Sequence, residues 1–548
     1  MATFNSRYIV YDEDQKELSD VENDICTYIA QNDFDDYDLL ISDDDRWKIF
    51  YHLSGMRKSL LNWYVFKKDS SLLEVGGSFG ALTGLFCDRC REVVSVERFL
   101  HRAEQIYERH KARSNLTVYA GRTEHIQFTD KFDYITVIGT LEYVGKGKPD
   151  KTIYSDYLKK LKALLKPQGV MLIAVENRYG LKYFCGAPEP HTGIPFSGIN
   201  GYPYGSSGYS FSRKEMIDIL ESAGFRHYKF YYPLPDYKLP QLIYSQDYIP
   251  QAGLRERVIP YYLNPSSLLA YENDLYDDIV ENRVLGFFSN SFLIECSDSE
   301  DFCDVLYAAV STDRGREDGF ATTLHSNGVA KKTALYPEGI RRLESISKNH
   351  KELESRNIKS IDSRLSGNTL LMPYIQDDTL SDYLKKIIKA DTEKFIILFD
   401  RLYEIILQSS IHAAREYSAF KCNDDSIDLG VILEKAYIDM IPINCFYNNG
   451  DFIFFDQEFT KEFYPAKYVI FRALKYTYFF VKDADKYVPI EFMKNRYELA
   501  DLWDLFEKEE YDFVSRNRRY DINKGFFSRA YVDKELMYKN ALRLLDKS

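Results

Sequence analysis

The sequence contains few of the residues that mark secreted, metal-rich or membrane proteins. Among 548 residues there are only 8 cysteines and 3 tryptophans. The closest cysteine pair, Cys87 and Cys90, has no second Cys/His pair at zinc-ligand spacing, so we expect neither a zinc site nor a disulfide framework. The apolar runs, such as VMLIAV, are far shorter than the ~20 residues of a membrane span, and the chain start lacks a signal-peptide layout. We therefore expect a cytoplasmic protein with no transmembrane segment.

Positive charge is also scarce. The chain has 71 Lys and Arg against 84 Asp and Glu, a formal net charge of −13. Residues 1–45 carry 14 acidic and 2 basic side chains, a net of −12, which leaves −1 for the rest of the chain. Binding dominated by phosphate contacts needs a broad basic surface, so no nucleic-acid partner is expected. We interpret residues 1–45 as an acidic N-terminal extension that is solvated and partly helical.

The chain does have a regular alternation of strand-like and helix-like segments from Ser71 onward. Apolar runs such as SLLEVG, EVVSVE, FDYITVIG and VMLIAVEN alternate with amphipathic stretches such as FLHRAEQIYERHKA. Buried strands separated by helices indicate an α/β fold with a parallel sheet covered on both faces. Ligands of such sheets bind beyond the carboxyl ends of the strands, so the polar residues at those ends are the candidate site.

The loop after the first of these strands reads Glu74-x-Gly76-Gly77-Ser78-x-Gly80. It lacks the Lys-Ser or Lys-Thr of an ATP-binding loop and the G-x-G-x-x-G order of a dinucleotide fold. A carboxylate at the strand end would repel a pyrophosphate and suits a cationic cofactor. Glu97 ends the second strand, where its carboxylate can accept both ribose hydroxyls. This pattern favours S-adenosylmethionine, and an NAD-dependent oxidoreductase or epimerase is the alternative.

Longer stretches of the sequence extend this interpretation. LLEVGGSFGALTGLF, VVSVER and FDYITVIGTLEYVG resemble motifs I, II and IV of class I S-adenosylmethionine-dependent methyltransferases. WKIFYHLSGMRKSLLNW and VENRYGLKYFCGAPEPHTGIPFSGINGYPYGSSGYSFSRKEM resemble a bacterial subgroup found with polysaccharide-synthesis enzymes. The resemblance implies a Rossmann-like domain over residues 46–298, with seven strands, the last one antiparallel, and an insertion at about 245–287. It also implies a sugar or glycan acceptor and polysaccharide-synthesis enzymes as partners.

The resemblance also implies which residues bind the cofactor. They shape the methionine end, the ribose and adenine contacts, and the pocket wall from the fourth strand: Glu74, Gly76, Gly77, Ser78, Gly80, Glu97, Arg122, Gly139, Thr140, Leu141 and Glu142. Two positions depart from the family pattern. Ser78 stands where glycine is common, a change that should be tolerated if its φ stays negative. Arg122 and His125 stand where the subgroup tends to have Asn and Asp.

The segment after the fifth strand is rich in Gly, Pro and polar residues, and we interpret it as the acceptor site. It supplies Glu176, Asn177, Arg178, Tyr183, Glu189 and His191, of which Glu176 and His191 are the candidate catalytic residues. A hydroxyl acceptor needs a base, for which His191 is the best candidate, whereas a phosphate or carboxylate acceptor needs none. Tyr51 and Arg57, just before the first strand, can cover the same site, and Arg57 and Arg178 would suit an anionic sugar or phosphate.

The second half of the chain has a different pattern. VLYAAVST and FATTLHSN read as antiparallel strands around DRGREDG, followed by the strand GVAKKTAL and a helix. Further on, Asp439 and Asn444 stand at D-x-x-x-x-N spacing, and Asp456 ends a strand twelve residues later. One carboxylate can orient or deprotonate a hydroxyl, and the Asn and the second Asp can hold Mg²⁺ on a nucleotide.

This order resembles the α+β protein-kinase-like fold, especially small-molecule and sugar kinases, over residues 304–480. The resemblance implies ATP and Mg²⁺ as ligands, with Lys332 on the phosphates and Met372 to Tyr374 at the purine. Asp439 would be catalytic, and Asn444 and Asp456 would hold the metal. Residues 481–548 are expected to be a helical C-terminal segment.

Together these patterns predict a methyltransferase joined to a kinase-like domain. In the leading hypothesis, the kinase-like domain phosphorylates the acceptor that the first domain methylates. In the second hypothesis, the kinase-like half is a non-catalytic binding scaffold. The NAD-dependent oxidoreductase or epimerase is the third.

Overall fold

The computed structural model describes residues 1–10, 18–32, 36–250, 253–422, 426–481 and 483–545. The chain divides into two compact units, the first formed by Met1–Asp313 with Arg519–Ser548 and the second by Arg314–Arg518. The expected division at residues 304 and 480 differs from this one. The strand of the VLYAAVST segment belongs to unit 1, and the predicted C-terminal segment is shared between the two units. No described helix is both long and apolar enough to cross a bilayer.

Unit 1 is built on a twisted mixed sheet. Its strands are β1 (Thr3–Tyr8), β2 (Ser71–Val75), β3 (Glu92–Glu97), β4 (Leu116–Gly121), β5 (Phe132–Ile138), β6 (Leu165–Glu176), β7 (His227–Leu234), β8 (Leu242–Ser245), β9 (Ser291–Ser297) and β10 (Val305–Val310). They lie side by side in the order β1-β4-β3-β2-β5-β6-β9-β7-β8-β10. Strands β4, β3, β2, β5 and β6 are parallel, as the apolar runs predicted.

Strand β9, from the segment SNSFLIEC, lies antiparallel between β6 and β7, as expected for the last strand. The count of seven strands is not confirmed, because the sheet continues at both edges. Strand β1 from the acidic extension pairs parallel with β4, and β8 and β10 extend the other edge. The extension is partly helical as expected, with helices Asp20–Ala30 and Asp38–Asp43, but it is not simply solvated, because β1 joins the sheet and Ile25, Ile29 and Ile41 are buried. Residues 11–17 and 33–35 lie outside the described part.

Helices cover the sheet of unit 1. They are Asp20–Ala30, Asp38–Asp43, Trp47–Leu53, Thr83–Arg89, Leu100–His110, Leu141–Val144, Lys151–Lys162, Leu181–Phe184, Arg213–Ser222, Tyr276–Glu281, Leu285–Phe288, Lys524–Ala530 and Lys534–Leu545. The last two return from the far end of the chain. Phe526 packs with Phe50 and Tyr261 in one buried cluster, and Met537 packs with Tyr183 in another, so the C-terminus completes the core of unit 1.

Unit 2 begins with an antiparallel sheet in the order β11-β12-β14-β13 and continues as a mainly helical part. Its strands are β11 (Phe320–His325), β12 (Val329–Ala334), β13 (Arg364–Ser366), β14 (Thr369–Pro373), β15 (His412–Ala413), β16 (Ile432–Tyr437), β17 (Cys445–Asn448), β18 (Asp451–Phe454) and β19 (Thr460–Pro465). Its helices are Ile340–Ser355, Leu380–Ile387, Thr392–Gln408, Ala466–Phe480, Ala484–Tyr487, Ile490–Arg496 and Trp503–Asn517. The long helices enclose one large apolar core.

Candidate active site

The glycine loop after β2 meets both predicted carboxylates. Glu97, at the end of β3, accepts hydrogen bonds from the backbone N–H groups of Ser78 (2.8 Å) and Phe99 (3.1 Å). Glu74 lies beneath the loop, where its Oε2 accepts from Thr83 Oγ1 (2.6 Å) and Ser95 Oγ (2.7 Å). Both carboxylates are buried, and burial raises the pKa of each. The two strand ends therefore face one loop.

The backbone of this loop is strongly curved. Gly76 and Gly80 have φ of +80° and +75°, and Ser78 has φ of +54°. The condition of a negative φ at Ser78 is not met, because this residue takes the left-handed conformation in which its N–H is bonded to Glu97. Gly77 lies so close to its neighbours that a Cβ there would be 2.6 Å from Ser95 Oγ and 3.0 Å from Glu74 Oε2. A side chain at Gly77 would therefore clash with both neighbours.

The segment after β5 forms the next part of the same edge. Gly139 has φ of +64°, and a Cβ there would lie 2.6 Å from the hydroxyl oxygen of Tyr237. Thr140 Oγ1 donates to the carbonyl of Val75 (3.2 Å), which ties this segment to the end of β2. Leu141 is buried, and the buried Glu142 accepts from the backbone N–H of Glu176 (2.5 Å). Arg122 is half-buried directly after β4, where the resemblance placed the adenine contacts.

His191 is the most informative residue of the predicted acceptor segment. Its side chain is 8% exposed, and among the residues that the structure describes neither ring nitrogen has a hydrogen-bond partner. The Tyr143 ring stands edge-on to it with centroids 5.2 Å apart. Burial lowers the pKa of His191, so the imidazole is neutral near pH 7. A buried imidazole without a hydrogen-bond partner costs free energy unless a ligand or water binds to it.

The loop that carries His191 is held by Glu189. Its carboxylate accepts from the His191 backbone N–H (2.8 Å), the Tyr202 hydroxyl (3.0 Å), Thr192 Oγ1 (3.2 Å) and Ser210 Oγ (3.2 Å). Four donors on one buried carboxylate fix the position of the loop. The imidazole thus has a defined place although neither ring nitrogen has a partner in the described part of the chain.

The other predicted acceptor residues already have partners within unit 1. Glu176 binds Lys238, Lys182 (3.2 Å) and the Tyr183 hydroxyl (2.8 Å). Asn177 donates to the carbonyls of Phe287 and Ser289, both at 2.7 Å. Arg178 forms an ion pair with Glu215 (3.0 Å) and donates to the Tyr209 hydroxyl (2.8 Å). These contacts hold the segment in place. Tyr51 stacks on Trp47, and its ring lies beside the guanidinium of Arg57 at 5.0 Å.

Sequence reasoning missed a polar group on the loop after β7. Asp236 accepts from Lys182 Nζ (2.9 Å) and from the Tyr261 hydroxyl (2.7 Å), and Lys238 pairs with Glu176. Since β6 and β7 both run antiparallel to β9, their carboxyl ends lie at the same edge of the sheet. The polar run PDYK directly after the strand was the available signal.

Unit 2 brings several predicted residues of its own together. Lys332, on β12, pairs with Asp456 (2.5 Å) and with the buried Glu458 (2.9 Å). Asn444 donates to the backbone carbonyl of Asp439 (3.3 Å) and its own carbonyl accepts from the Phe455 N–H, so it lies next to the strand that leads to Asp456. Met372 lies opposite Ala330 in the β12–β14 register, and Tyr374 follows it.

Asp439 is the predicted residue whose surroundings differ most from its expected role. Its Oδ2 accepts from the backbone N–H groups of Glu458 (3.1 Å) and Phe459 (2.6 Å), and its Oδ1 accepts from Arg472 (3.1 Å). Arg472 also pairs with the buried Glu510 (2.9 Å). Burial raises the pKa of Asp439 to about 6. The carboxylate acts as a structural anchor in this arrangement. No described group of three or more His, Cys, Asp or Glu side chains is arranged to hold a metal ion.

Comparison with known proteins bears on unit 1. Residues 49–229 match the family model described as a methyltransferase domain, and no curated protein matches the chain. A solved protein of Nostoc punctiforme assigned to the O-methyltransferases is 16% identical over 34% of this chain, with a TM-score of 0.27. This chain spans 57% of the length of that protein. The N-methyltransferase NodS from Bradyrhizobium japonicum, with bound S-adenosyl-L-homocysteine, is 17% identical over 36% of this chain and 83% of its own, with a TM-score of 0.24.

Structural likenesses at these scores carry no argument about activity. The family match concerns one segment of unit 1, and it agrees with the parallel strands and the glycine loop after β2. The match indicates a methyltransferase domain within unit 1, over residues 49–229. For unit 2, the kinase-like fold stays a prediction.

Proposed function

We propose that unit 1 transfers a methyl group from S-adenosylmethionine to a sugar or glycan intermediate of surface polysaccharide synthesis. One observation carries the chemistry: the carboxyl edge of the sheet joins the Glu97-bound loop to a buried histidine with no partner among the described residues. The acceptor class rests on the resemblance of residues 47–63 and 175–216 to the polysaccharide-associated subgroup.

The residues of the loop fit this cofactor better than a dinucleotide. A phosphate-binding loop presents free backbone N–H groups to the anion. Here the Ser78 N–H is donated to Glu97, and the carboxylates of Glu97 and Glu74 both lie at the loop. A pyrophosphate would meet two negative charges, whereas a ribose can donate its hydroxyls to Glu97 and a cationic amino acid is attracted.

The chain's own residues have a limited task in this reaction. Bound S-adenosylmethionine supplies the methyl group from a sulfonium centre by in-line displacement. The protein aligns the acceptor, excludes water and takes up the proton of a hydroxyl acceptor. His191 would take up this proton; its loop is held by Glu189, and burial keeps its imidazole neutral near pH 7.

Replacing Glu97 with Gln is expected to weaken S-adenosyl-L-homocysteine binding about 100-fold. The change removes charge-assisted hydrogen bonds to the ribose hydroxyls and weakens the bond that shapes the loop. Calorimetric titration of the purified full-length protein measures the effect. Glu92→Gln is the matched control, since Glu92 begins the same strand and is exposed. Tight NAD binding, or an unchanged affinity in Glu97→Gln, would refute the assignment.

The acceptor needs a test of its own. Surface polysaccharide from a strain that lacks this protein should lose a methyl substituent that mass spectrometry detects in the parent strain. Restoring the wild-type chain should restore the substituent, and restoring the His191→Gln variant should not. Identical polysaccharide in both strains would contradict the glycan acceptor while leaving the cofactor result intact.

For unit 2 we propose a nucleotide-binding scaffold as the second candidate function, in place of an active kinase. The anchoring of Asp439 by three donors supports it, because a catalytic base must reach a substrate hydroxyl. ATP would contact Lys332 and pack near Met372 and Tyr374. Asn444 and Asp456 would hold Mg²⁺, with Asp456 leaving its ion pair with Lys332.

The scaffold hypothesis predicts that Asp456→Asn weakens binding of Mg²⁺-ATP but changes no phosphate release, because the wild type hydrolyses no ATP. Asp456 is the proposed metal ligand, so an amide in its place lacks the charge that Mg²⁺ prefers. Calorimetry and a phosphate-release assay measure the two quantities. Asp451→Asn, on the neighbouring strand β18, is the control. Phosphate release by the wild type that Asp456→Asn abolishes would instead establish an active kinase.

A further inference from the structure

Arg57 has a buried positive charge that no carboxylate neutralises directly. The residue is 4% exposed and lies in the short helical segment Gly55–Leu60. Its Nη1 donates to the backbone carbonyls of Tyr237 (2.9 Å) and Lys238 (3.1 Å). Within the described part of the chain, no Asp or Glu forms an ion pair with it. Buried charges in proteins are almost always paired, so this arrangement indicates a missing anion.

The guanidinium lies at the edge of the sheet that holds the candidate active site. It lies beside two aromatic rings, 5.0 Å from the centroid of Tyr51 and 5.7 Å from that of Tyr237. The hydroxyl of Tyr237 in turn lies 2.6 Å from the position that a Cβ of Gly139 would occupy. The Tyr237 side chain therefore lies between Arg57 and the segment that follows β5.

The carboxylates near Arg57 have other partners. Lys182 and Lys238 form ion pairs with Asp236 and Glu176. Burial raises the pKa of Glu74 and the charge of Arg57 opposes this rise, but the Glu74 Oε2 accepts from Thr83 and Ser95. Among the described residues, Arg57 therefore has carbonyl and aromatic neighbours but no carboxylate in direct contact.

We propose that Arg57 binds an oxyanion, a carboxylate or a phosphate, of a molecule held at this edge of the sheet. The inference rests on the proposed function, in which S-adenosylmethionine and the acceptor both bind at this edge of the sheet. One source is the carboxylate of the methionine part of S-adenosylmethionine. The other is an anionic group on the acceptor, the role that the sequence suggested. A planar guanidinium suits both, since it binds either oxyanion through two parallel N–H groups.

Binding of two ligands that differ at the amino-acid end distinguishes the two possible sources of the oxyanion. S-Adenosyl-L-homocysteine has the carboxylate, and 5′-methylthioadenosine has the same nucleoside without it. If Arg57 holds the cofactor carboxylate, Arg57→Gln should weaken binding of the first about 10- to 100-fold and leave the second unchanged. Arg57→Lys keeps the charge but loses the two parallel N–H groups. Its affinity for S-adenosyl-L-homocysteine should therefore lie between those of the wild type and Arg57→Gln. Calorimetry on the full chain measures all affinities.

Inorganic phosphate tests the acceptor source. If Arg57 holds the acceptor anion, the wild type saturated with S-adenosyl-L-homocysteine should bind phosphate. Arg57→Gln should lose this binding while both nucleoside affinities stay unchanged. Arg113→Gln is the control for loss of an arginine, because Arg113 forms an exposed ion pair with Asp88.

Three results would overturn the proposal or its basis. If Arg57→Gln changes neither nucleoside nor phosphate binding, Arg57 binds no anion. Equal weakening of both nucleosides without phosphate binding means that Arg57 only supports the fold of the pocket. A wild type that binds neither nucleoside refutes the proposed function as well, which distinguishes that failure from the first.

Discussion

Replacing His191 with Gln is expected to lower kcat for methyl transfer by about 100- to 10,000-fold, the usual contribution of a positioned general base. Binding of S-adenosyl-L-homocysteine should be unchanged, because His191 is assigned to the acceptor. Glutamine is of similar size and polar, so it can occupy the same buried position without removing the Glu189 contacts that hold the loop. Single-turnover transfer of a labelled methyl group to the glycan fraction of a strain lacking the protein measures the rate.

The pH dependence of the wild type gives an independent test of the same role. A base works only when it is deprotonated, and burial places the pKa of His191 below its ordinary value of 6.5. The rate should therefore stay constant near neutrality and fall only as the pH drops through this lowered pKa. In His191→Gln, this fall in the rate at acidic pH should be absent.

The exposed His412 of unit 2, replaced by Gln, is the control and should leave both the rate and the pH profile unchanged. A fully active His191→Gln protein with the wild-type profile would contradict the base role. That result would instead indicate a phosphate or carboxylate acceptor, which needs no base.

The parallel part of the sheet and its loop could be predicted from the sequence because their signals are local. The apolar runs that became β2, β3 and β5 are short, continuous and separated by amphipathic helices. Glu74 and Glu97 stand at strand ends, and parallel strands place those ends at one edge of the sheet. The conformation of Ser78 was missed, since its left-handed φ depends on a hydrogen bond to a residue on another strand.

The parts that were missed depend on contacts between distant segments. Lys238 reaches Glu176 because β9 lies between β6 and β7, a topology that no local pattern gives. The return of Lys524–Ala530 to unit 1 likewise depends on packing against Phe50 and Tyr261. In unit 2, the spacing of Asp439 and Asn444 was visible in the sequence, whereas the partners Arg472 and Glu510 follow after 33 and 71 residues.

Replacing Arg472 with Met is expected to destabilise unit 2 by about 3–5 kcal/mol. The change leaves the buried carboxylates of Asp439 and Glu510 without the cation between them, and a buried charge that loses its partner is strongly destabilising. Hydrogen exchange on the full-length protein measures the effect at the amides of helix Ala466–Phe480. Their protection should fall by about 150- to 5,000-fold, and that of strands β2 and β5 in unit 1 should not.

A second variant shows whether the loss comes from the unpaired charge. Replacing Arg472 with Met and Glu510 with Leu together removes one cation and one buried anion, so protection should recover in part. Arg496→Met is the surface control, because its ion pair with Asp400 is partly exposed and contributes about 1 kcal/mol or less. If Arg472→Met unfolds nothing, Asp439 is not anchored by this cation, and the scaffold hypothesis loses one of its three supporting contacts.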